Sequence, residues 1–493
     1  MTRHPAIDRT LRVAACLALA GAVLVTCPAP EPARTGLALF TLIGALWLTQ
    51  ALPLAVTALL VPPLAALAGL VDLRQGFAPF AHPVIFLFLG GFALAAALHR
   101  QGLDRRLAQA LLRLSGGHRL RAVALLFGGT ALLSMWISNT ATAALMLPLA
   151  LGLLDLDRPS TAHPVGAPAR PARAEPADAA DHADRADHVD HAAPARAAAP
   201  ADQAADRTQV FVLLGVAYSA SIGGIGTLVG SPPNAIAAAQ AGIGFVDWMG
   251  FGLPLVALLL PLMAGLLWLT LRPRVAGRVA LPPPPPRWTR AERLTALVFG
   301  LTALGWVGAA PLAAALGLGG DTDTLVAVLA LAALIALGLL DWDELERSTH
   351  WSVLLLFGGG LALSQVLERS GGSRWLADML VLQLQGAPAW LVLLAVTGFV
   401  VMLTELVSNT AAAALLVPVF IGVGQALGLP PALLASAIAA AASCAFMLPV
   451  ATPPNAIVHG TGRVPPSAML RAGLVLNIAC TLVITGLAAW RWG

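Results

Sequence analysis

Lysine is absent from this chain: all 29 basic residues among its 493 are arginine. That excludes mechanisms built on a lysine, such as a Schiff base or a phosphate-cradling P-loop. Charge of either sign is scarce. Charged residues make up 11% of the chain and hydrophobic residues 58%, with a mean hydropathy of +0.81. Soluble domains carry about 25% charged residues. The composition excludes a globular enzyme on one anchor and implies a polytopic membrane protein. The four cysteines (Cys16, Cys27, Cys444 and Cys480) are scattered through apolar sequence. They have neither metal-ligand spacing nor a disulfide framework, and read as small buried hydrophobes. Even arginine is missing from residues 122–154, 208–271 and 375–462.

What the sequence does contain is a pair of linked polar motifs, twice. Ser138-Asn139-Thr140 lies in WISNTATAALMLP and Ser408-Asn409-Thr410 in LVSNTAAAALLVP. Downstream come GSPPNAI from Gly230 and ATPPNAI from Ala451. Two copies of two motifs inside apolar sequence imply one site built from two halves, an architecture typical of secondary transporters with internal repeats. The repeat reaches further: the stretch from His82 through Gly90-Gly91 aligns with the stretch from His350 through Gly358-Gly359. One copy of the Ser-Asn-Thr motif alone would read as helix–helix glue. The matched downstream motifs favour a site.

The apolar runs are continuous rather than alternating, which predicts helices and not barrel strands. Spans are expected at 11–27, 36–50, 52–71, 84–98, 209–240, 251–271, 294–317, 324–340, 352–367, 431–458 and 468–490. The first could pass for a signal peptide, but its continuation into many spans and the lack of a cleavage site favour a retained helix. Segments 122–154 and 388–424 carry Ser-Asn-Thr near their middles and read as re-entrant helical hairpins. The fold class is thus an all-α polytopic membrane protein with about eleven transmembrane helices plus two re-entrant hairpins. Its expected parts are an N-terminal span (1–35), a first repeat (36–272), a cytoplasmic Pro/Arg-rich linker (273–293) and a second repeat (294–493).

Arginine bias sets the orientation. With the N-terminus cytoplasmic, 24 of the 29 arginines fall in inside segments and 5 in outside ones. The first hairpin then opens inward and the second outward, so the repeats are inverted. The two Ser-Asn-Thr motifs are 270 positions apart but the Pro-Pro-Asn motifs only 221. Residues 155–208, rich in Ala, Pro, Asp, Arg and His, account for the shortfall as a disordered cytoplasmic insertion. Its Asp-His pairs at 181–182, 187–188 and 190–191 read as solvated low-complexity sequence rather than a metal site. Pro282–Pro286 reads as an extended spacer. Arg100, Arg105 and Arg106 belong to an amphipathic interfacial helix within 99–121.

Glycines 223, 224, 226 and 230 followed by Ser231-Pro232-Pro233 predict a helix that breaks and restarts at the prolines. Thr452-Pro453-Pro454 predicts the same in the second copy. Breaks free N–H groups on one side and carbonyls on the other; the first suit an anion, the second sodium. No fixed cation lies in these windows, so a dianion there calls for co-bound sodium. Glu405 is a carboxylate beside the second motif, matched by Met135 in the first copy; a structural or coupling role fits it better than contact with a dianion. Asp247, Asp321 and Asp323 read as solvated charges in outside loops, and His459 as a helix end.

On these motifs the chain resembles the divalent anion:sodium symporters, over about residues 36–490 without the insertion. The resemblance implies a homodimer in the cell's inner (plasma) membrane, with an elevator-like transport domain moving against a scaffold. It implies one sodium site at Ser134, Ser138, Asn139 and the Gly230 carbonyl, and a second at Thr404, Ser408, Asn409 and the Ala451 carbonyl. Substrate carboxylates would meet Asn139, Thr140, Ser231, Asn409, Thr410, Thr452 and Pro453. The expected partners are a small dianion such as succinate, malate or fumarate, sodium ions and the lipid bilayer, with no nucleic acid. Sulfate symport and sodium-independent dicarboxylate exchange are the alternatives. A hydrolase lacks a paired nucleophile and base, and a channel lacks a filter.

Overall fold

The computed structural model describes residues 5–155, 200–279, 286–317, 321–384 and 388–492. Their chain order is α1 (Pro5–Thr26), α2 (Ala33–Thr49), α3 (Leu54–Leu67), α4 (Leu73–Phe77), α5 (Pro83–Arg100), α6 (Leu103–Leu114), α7 (Arg119–Ser134) and α8 (Asn139–Asp155). Then follow α9 (Pro200–Gly223), α10 (Pro232–Ala241), α11 (Phe245–Leu271), α12 (Arg290–Val307), α13 (Ala309–Leu316), α14 (Thr322–Ala336) and α15 (Trp342–Ser348). The chain closes with α16 (Trp351–Arg369), α17 (Gly372–Leu384), α18 (Ala389–Thr404), α19 (Asn409–Ala426), α20 (Pro431–Ala442), α21 (Pro453–His459) and α22 (Pro466–Trp492). No strand occurs among the described residues; an isolated antiparallel bridge joins His118 to Arg278. Among the described residues, six helical stretches are long and apolar enough to cross a membrane: 9–26, 73–100, 245–271, 351–369, 409–426 and 466–491.

Local sequence explains where helices stop. Expected spans 209–240 and 431–458 are each two helices, α9–α10 and α20–α21, with restarts at Pro232 and Pro453. Proline lacks an N–H and is preset for the first helical turn. The expected span 294–317 is also two helices, because α12 ends at Gly308. Residues 200–208 belong to α9 rather than to the insertion, and Asp155 closes α8. Residues 156–199, with the Asp-His pairs, and 280–285, with most of the proline run, lie outside the described residues.

The ends of the 273–293 linker are held rather than free. Arg119 N–H donates to the Gly277 carbonyl (3.2 Å) and Val279 N–H to that of Gly117 (2.9 Å). On the other side Arg106, from the predicted amphipathic helix α6, grips Glu292 through both carboxylate oxygens (2.9 and 3.2 Å). It also donates to the Pro286 carbonyl (2.8 Å) and lies 5.0 Å from the Trp288 ring centre. Thr289 and Glu292 form a capping box at the start of α12. The Thr289 N–H first, and then the Arg106 guanidinium, hold the Glu292 carboxyl below the usual carboxylate range.

The two sequence copies interlock. α5 packs on α14, and α16 on α3. A methyl group on Gly90 would meet Ala327, and one on Gly359 would meet Ala58. Both partners stand 269 positions apart (90 to 359, 58 to 327), so each copy's glycine closes on the other copy's alanine. Such close backbone approach is the use of small residues between apolar helices. The helices around the breaks are exchanged too: α10 packs on α20, and α21 on α9.

Candidate substrate and cation site

The breaks are held by the asparagines of the Pro-Pro-Asn motifs. Asn234 Nδ2 donates to the Gly224 and Thr227 carbonyls (2.8 and 2.7 Å). Asn455 Nδ2 donates to the Ala445 and Leu448 carbonyls (both 3.0 Å). The two sets superpose at an offset of 221 residues (234 to 455, 224 to 445, 227 to 448). Both asparagines are fully buried. A helix end without partners is costly in apolar surroundings, and one amide satisfies two of its carbonyls. The sequence marked the motif, but this stapling by its asparagine was missed.

The Ser-Asn-Thr motifs lie between paired helices, α7 with α8 and α18 with α19. Asn139 and Asn409 each begin the second helix. Ser138 Oγ accepts the Ala141 N–H (3.3 Å), a capping contact. Ser134 Oγ lies 2.7 Å from Asn139 Oδ1 and 2.6 Å from the Ala220 carbonyl. A methyl on Gly230 would sit 2.6 Å from the Gly224 carbonyl oxygen and 3.0 Å from that of Ser134. A methyl on Gly224 would strike Asn139 Oδ1. The first copy therefore gathers hydroxyl, amide and backbone oxygens where only glycine fits, a donor set suited to a hard cation. In the second copy Thr404 Oγ1 donates to Val401 of its own helix (3.1 Å). Asn409 Oδ1 is buried with no hydrogen-bond donor, which leaves an oxygen for an incoming ion.

All four motifs open into one cavity of about 420 Å³. Of the sequence-predicted residues, Ser138, Asn139, Thr140, Gly230, Ser231, Ser408, Asn409, Thr410, Ala451, Thr452 and Pro453 line it. Ser134 and Thr404 do not; they are fully buried. The N-termini of α8, α10 and α19 border the space, and Thr452 caps α21 by accepting the Asn455 N–H (3.3 Å). Such N-termini favour an anion. The lining contains no arginine or carboxylate, and its one ionisable side chain is His350. The opposite wall comes from α5 and α16 (Phe88, Gly91, Phe92, Ala95, His350 and Val353), with Trp136 from the first hairpin. This wall was missed, because its residues carry no polar motif.

Comparison with known proteins places the chain in a family. The sequence profile of the citrate transporter family matches residues 45–441. The chain belongs to that family, within the divalent anion:sodium symporter superfamily. It is 44% identical over 473 residues to an uncharacterized transporter of Haemophilus influenzae, covering 94% of this chain and 93% of that one. It is 31% identical to the sodium-dependent dicarboxylate transporter SdcS of Staphylococcus aureus, covering 91% and 84%. The fold resembles the crystal structure of the Alcanivorax borkumensis YdaH transporter, with a TM-score of 0.54 at 16% identity over 99% and 98% of the chains. The protein is a multi-pass membrane transporter and not an enzyme.

Within this transporter Glu405 is 3% exposed and faces the break, not the cavity. Its carboxylate accepts the Met447 and Leu448 N–H groups (2.9 and 3.0 Å) and the Asn477 amide (2.7 Å). At the matching place in the first copy Thr227 Oγ1 donates to the Met135 backbone carbonyl. Two of the contacts between the copies lie beside the breaks. Tyr218, the chain's one tyrosine, donates to the Phe446 carbonyl (2.7 Å), and Ser231 Oγ lies 3.3 Å from Ser443 Oγ.

The acidic residues read as solvated loop charges need one correction. Asp323 is partly buried; one oxygen accepts the Phe245 N–H (3.1 Å) and the other is buried. It caps α11 from α14, which sequence spacing could not reveal. His459 ends α21, with Nδ1 2.9 Å from the Val464 carbonyl. All four cysteines are free.

Proposed function

We propose that this transporter carries small dicarboxylates (succinate, malate or fumarate) together with sodium. The observation that carries this reading is the meeting of four motifs from two sequence copies in one cavity without a fixed cation. Helix N-termini and hydroxyls favour a dianion, and the glycine-lined oxygens behind them favour sodium. Each ion offsets the other's charge, so neither enters readily alone; that is the physical basis of coupling. One sodium sits among Ser134, Ser138, Asn139 and the Gly230 carbonyl, and the second among Thr404, Ser408, Asn409 and the Ala451 carbonyl. The substrate carboxylates meet Asn139, Thr140, Ser231, Asn409, Thr410, Thr452 and Pro453. The cavity volume suits a small acid. The sodium dependence and dicarboxylate use of SdcS support the same reading.

The chain works as a homodimer in the inner membrane with its N-terminus cytoplasmic, and the Ser-Asn-Thr segments are re-entrant hairpins of two inverted repeats. Movement is elevator-like: α7–α11 and α18–α22 travel against α2–α5 and α12–α16. The reading is supported by the unequal lining of the opposite wall, where α5 contributes from Phe88 to Ala95 and α16 only near its start.

The test is uptake of radiolabelled succinate into proteoliposomes under an inward sodium or choline gradient, with excess sulfate as competitor. Uptake with sodium alone, unaffected by sulfate, is expected. Uptake that needs preloaded dicarboxylate and ignores sodium would instead identify an exchanger. Sodium-driven sulfate uptake without succinate uptake would keep the site and change the substrate.

A further inference from the structure

His350 stands just before the first turn of α16 and lines the site cavity. Its ring centre lies 5.4 Å from that of Phe92, which lines the same cavity. It makes no capping hydrogen bond with its own helix. It is the one ionisable side chain on a wall otherwise made of amides, hydroxyls, backbone and apolar groups.

The sequence aligns His350 with His82, the residue that caps α5. His82 does not line the cavity, and its Nδ1 accepts the Val84 N–H (3.3 Å). α5 meets the cavity through its middle, from Phe88 to Ala95, and α16 through its N-terminus. Inverted copies exchange these parts when the cavity opens to the opposite face. The N-terminus of α5, with His82, then meets the cavity, and α16 presents its middle.

We propose that His350 is a specificity-determining residue: protonated, it supplies the switchable positive charge on the cytoplasmic mouth of the site and strengthens binding of a dianion there. The inference rests on the reading of the site as one for a dianion. Histidine is the side chain whose ordinary charge change falls near neutral pH. The cavity residues from α2, α5, α8, α10, α19 and α21 that face His350 include no other titratable or charged group. On the neighbouring α15, Glu344 and the preceding Asp341 pair with Arg100 of α5. Asp343, Glu346 and Arg347 are exposed on that same helix. Arg9 borders a separate recess that shares Gln50 and Ser408 with the site. It is a fixed charge, so it adds attraction without adding a pH response.

The experiment is sodium-driven fumarate uptake into inside-out proteoliposomes, whose outer solution bathes the cytoplasmic face. Fumarate stays a dianion between about pH 6 and about pH 8, so any pH effect belongs to the protein. For the unaltered chain, the half-saturating fumarate concentration is expected to be about three- to ten-fold lower at the acid end. H350Q removes that difference and binds weakly at both values. H350R also removes it but binds tightly at both. H82Q leaves the difference intact at this face. A pH-indifferent unaltered chain, or an H350Q variant that keeps the full difference, would overturn the inference while leaving the transport reading standing. No sodium-driven uptake by the unaltered chain at either pH would defeat the transport reading and the inference together.

Discussion

The two halves of the site solve one mechanical problem with different chemistry. Each must tie a hairpin tip to the break in a neighbouring helix. In the first half the tie is neutral: Thr227 donates to the Met135 carbonyl, and Ser134 bridges Asn139 and Ala220. In the second half it is ionic: the Glu405 carboxylate takes two N–H groups of the break and the Asn477 amide. What the copies share without change is the asparagine staple, at 234 and 455. The staple is set by the geometry of a broken helix; the tie is free to vary as long as every buried polar group finds a partner.

Breaking the ionic tie has the largest expected effect. Glu405→Ala leaves two backbone N–H groups and an amide unsatisfied, and should cost about 3 kcal/mol or more. The thermal melting point of the purified transporter should fall and uptake should cease. A variant that melts and transports normally would contradict this tie. Next comes Gly223→Cys, which copies Cys444 of the second half into the first. Any side chain at 223 meets the Ala131 backbone, so the first hairpin cannot close on α9 and transport should be lost despite membrane insertion.

Removing either staple should have similar consequences. Asn234→Ala and Asn455→Ala each free two buried carbonyls, at about 2 kcal/mol. Matched losses in melting temperature would support the shared role; a large inequality would show that only one break needs it. The smallest effect is expected of Thr227→Val, which removes one neutral hydrogen bond at about 1 kcal/mol. Its cost should be well below that of Glu405→Ala, which is the sharpest check on the contrast between the halves.

Much of this contrast was hidden in the sequence. The motifs were legible because proline, glycine and serine at a helix break act locally, through backbone geometry, and because they occur twice. Eleven of the thirteen site residues that the family resemblance implies line one cavity. The partners of Glu405 were not legible: Met447 and Asn477 lie 42 and 72 positions away, and nothing local reports such a contact. The wall from α5 and α16 was missed for the same reason, since His350 and Phe92 meet only through packing. Helix ends set by single residues, such as Gly308, fell inside runs whose hydropathy is uniform. Asp323 looked like an exposed loop charge because its partner, the Phe245 N–H, is a backbone group on another helix.

One measurement bears most directly on the claim that each half holds its own sodium. Succinate uptake would be followed as sodium is varied, for the unaltered transporter, Ser134→Ala and Thr404→Ala. A steeper than first-order sodium dependence is expected in the unaltered chain, with each substitution raising the half-saturating sodium concentration. Uptake that ignores sodium in all three proteins would contradict it.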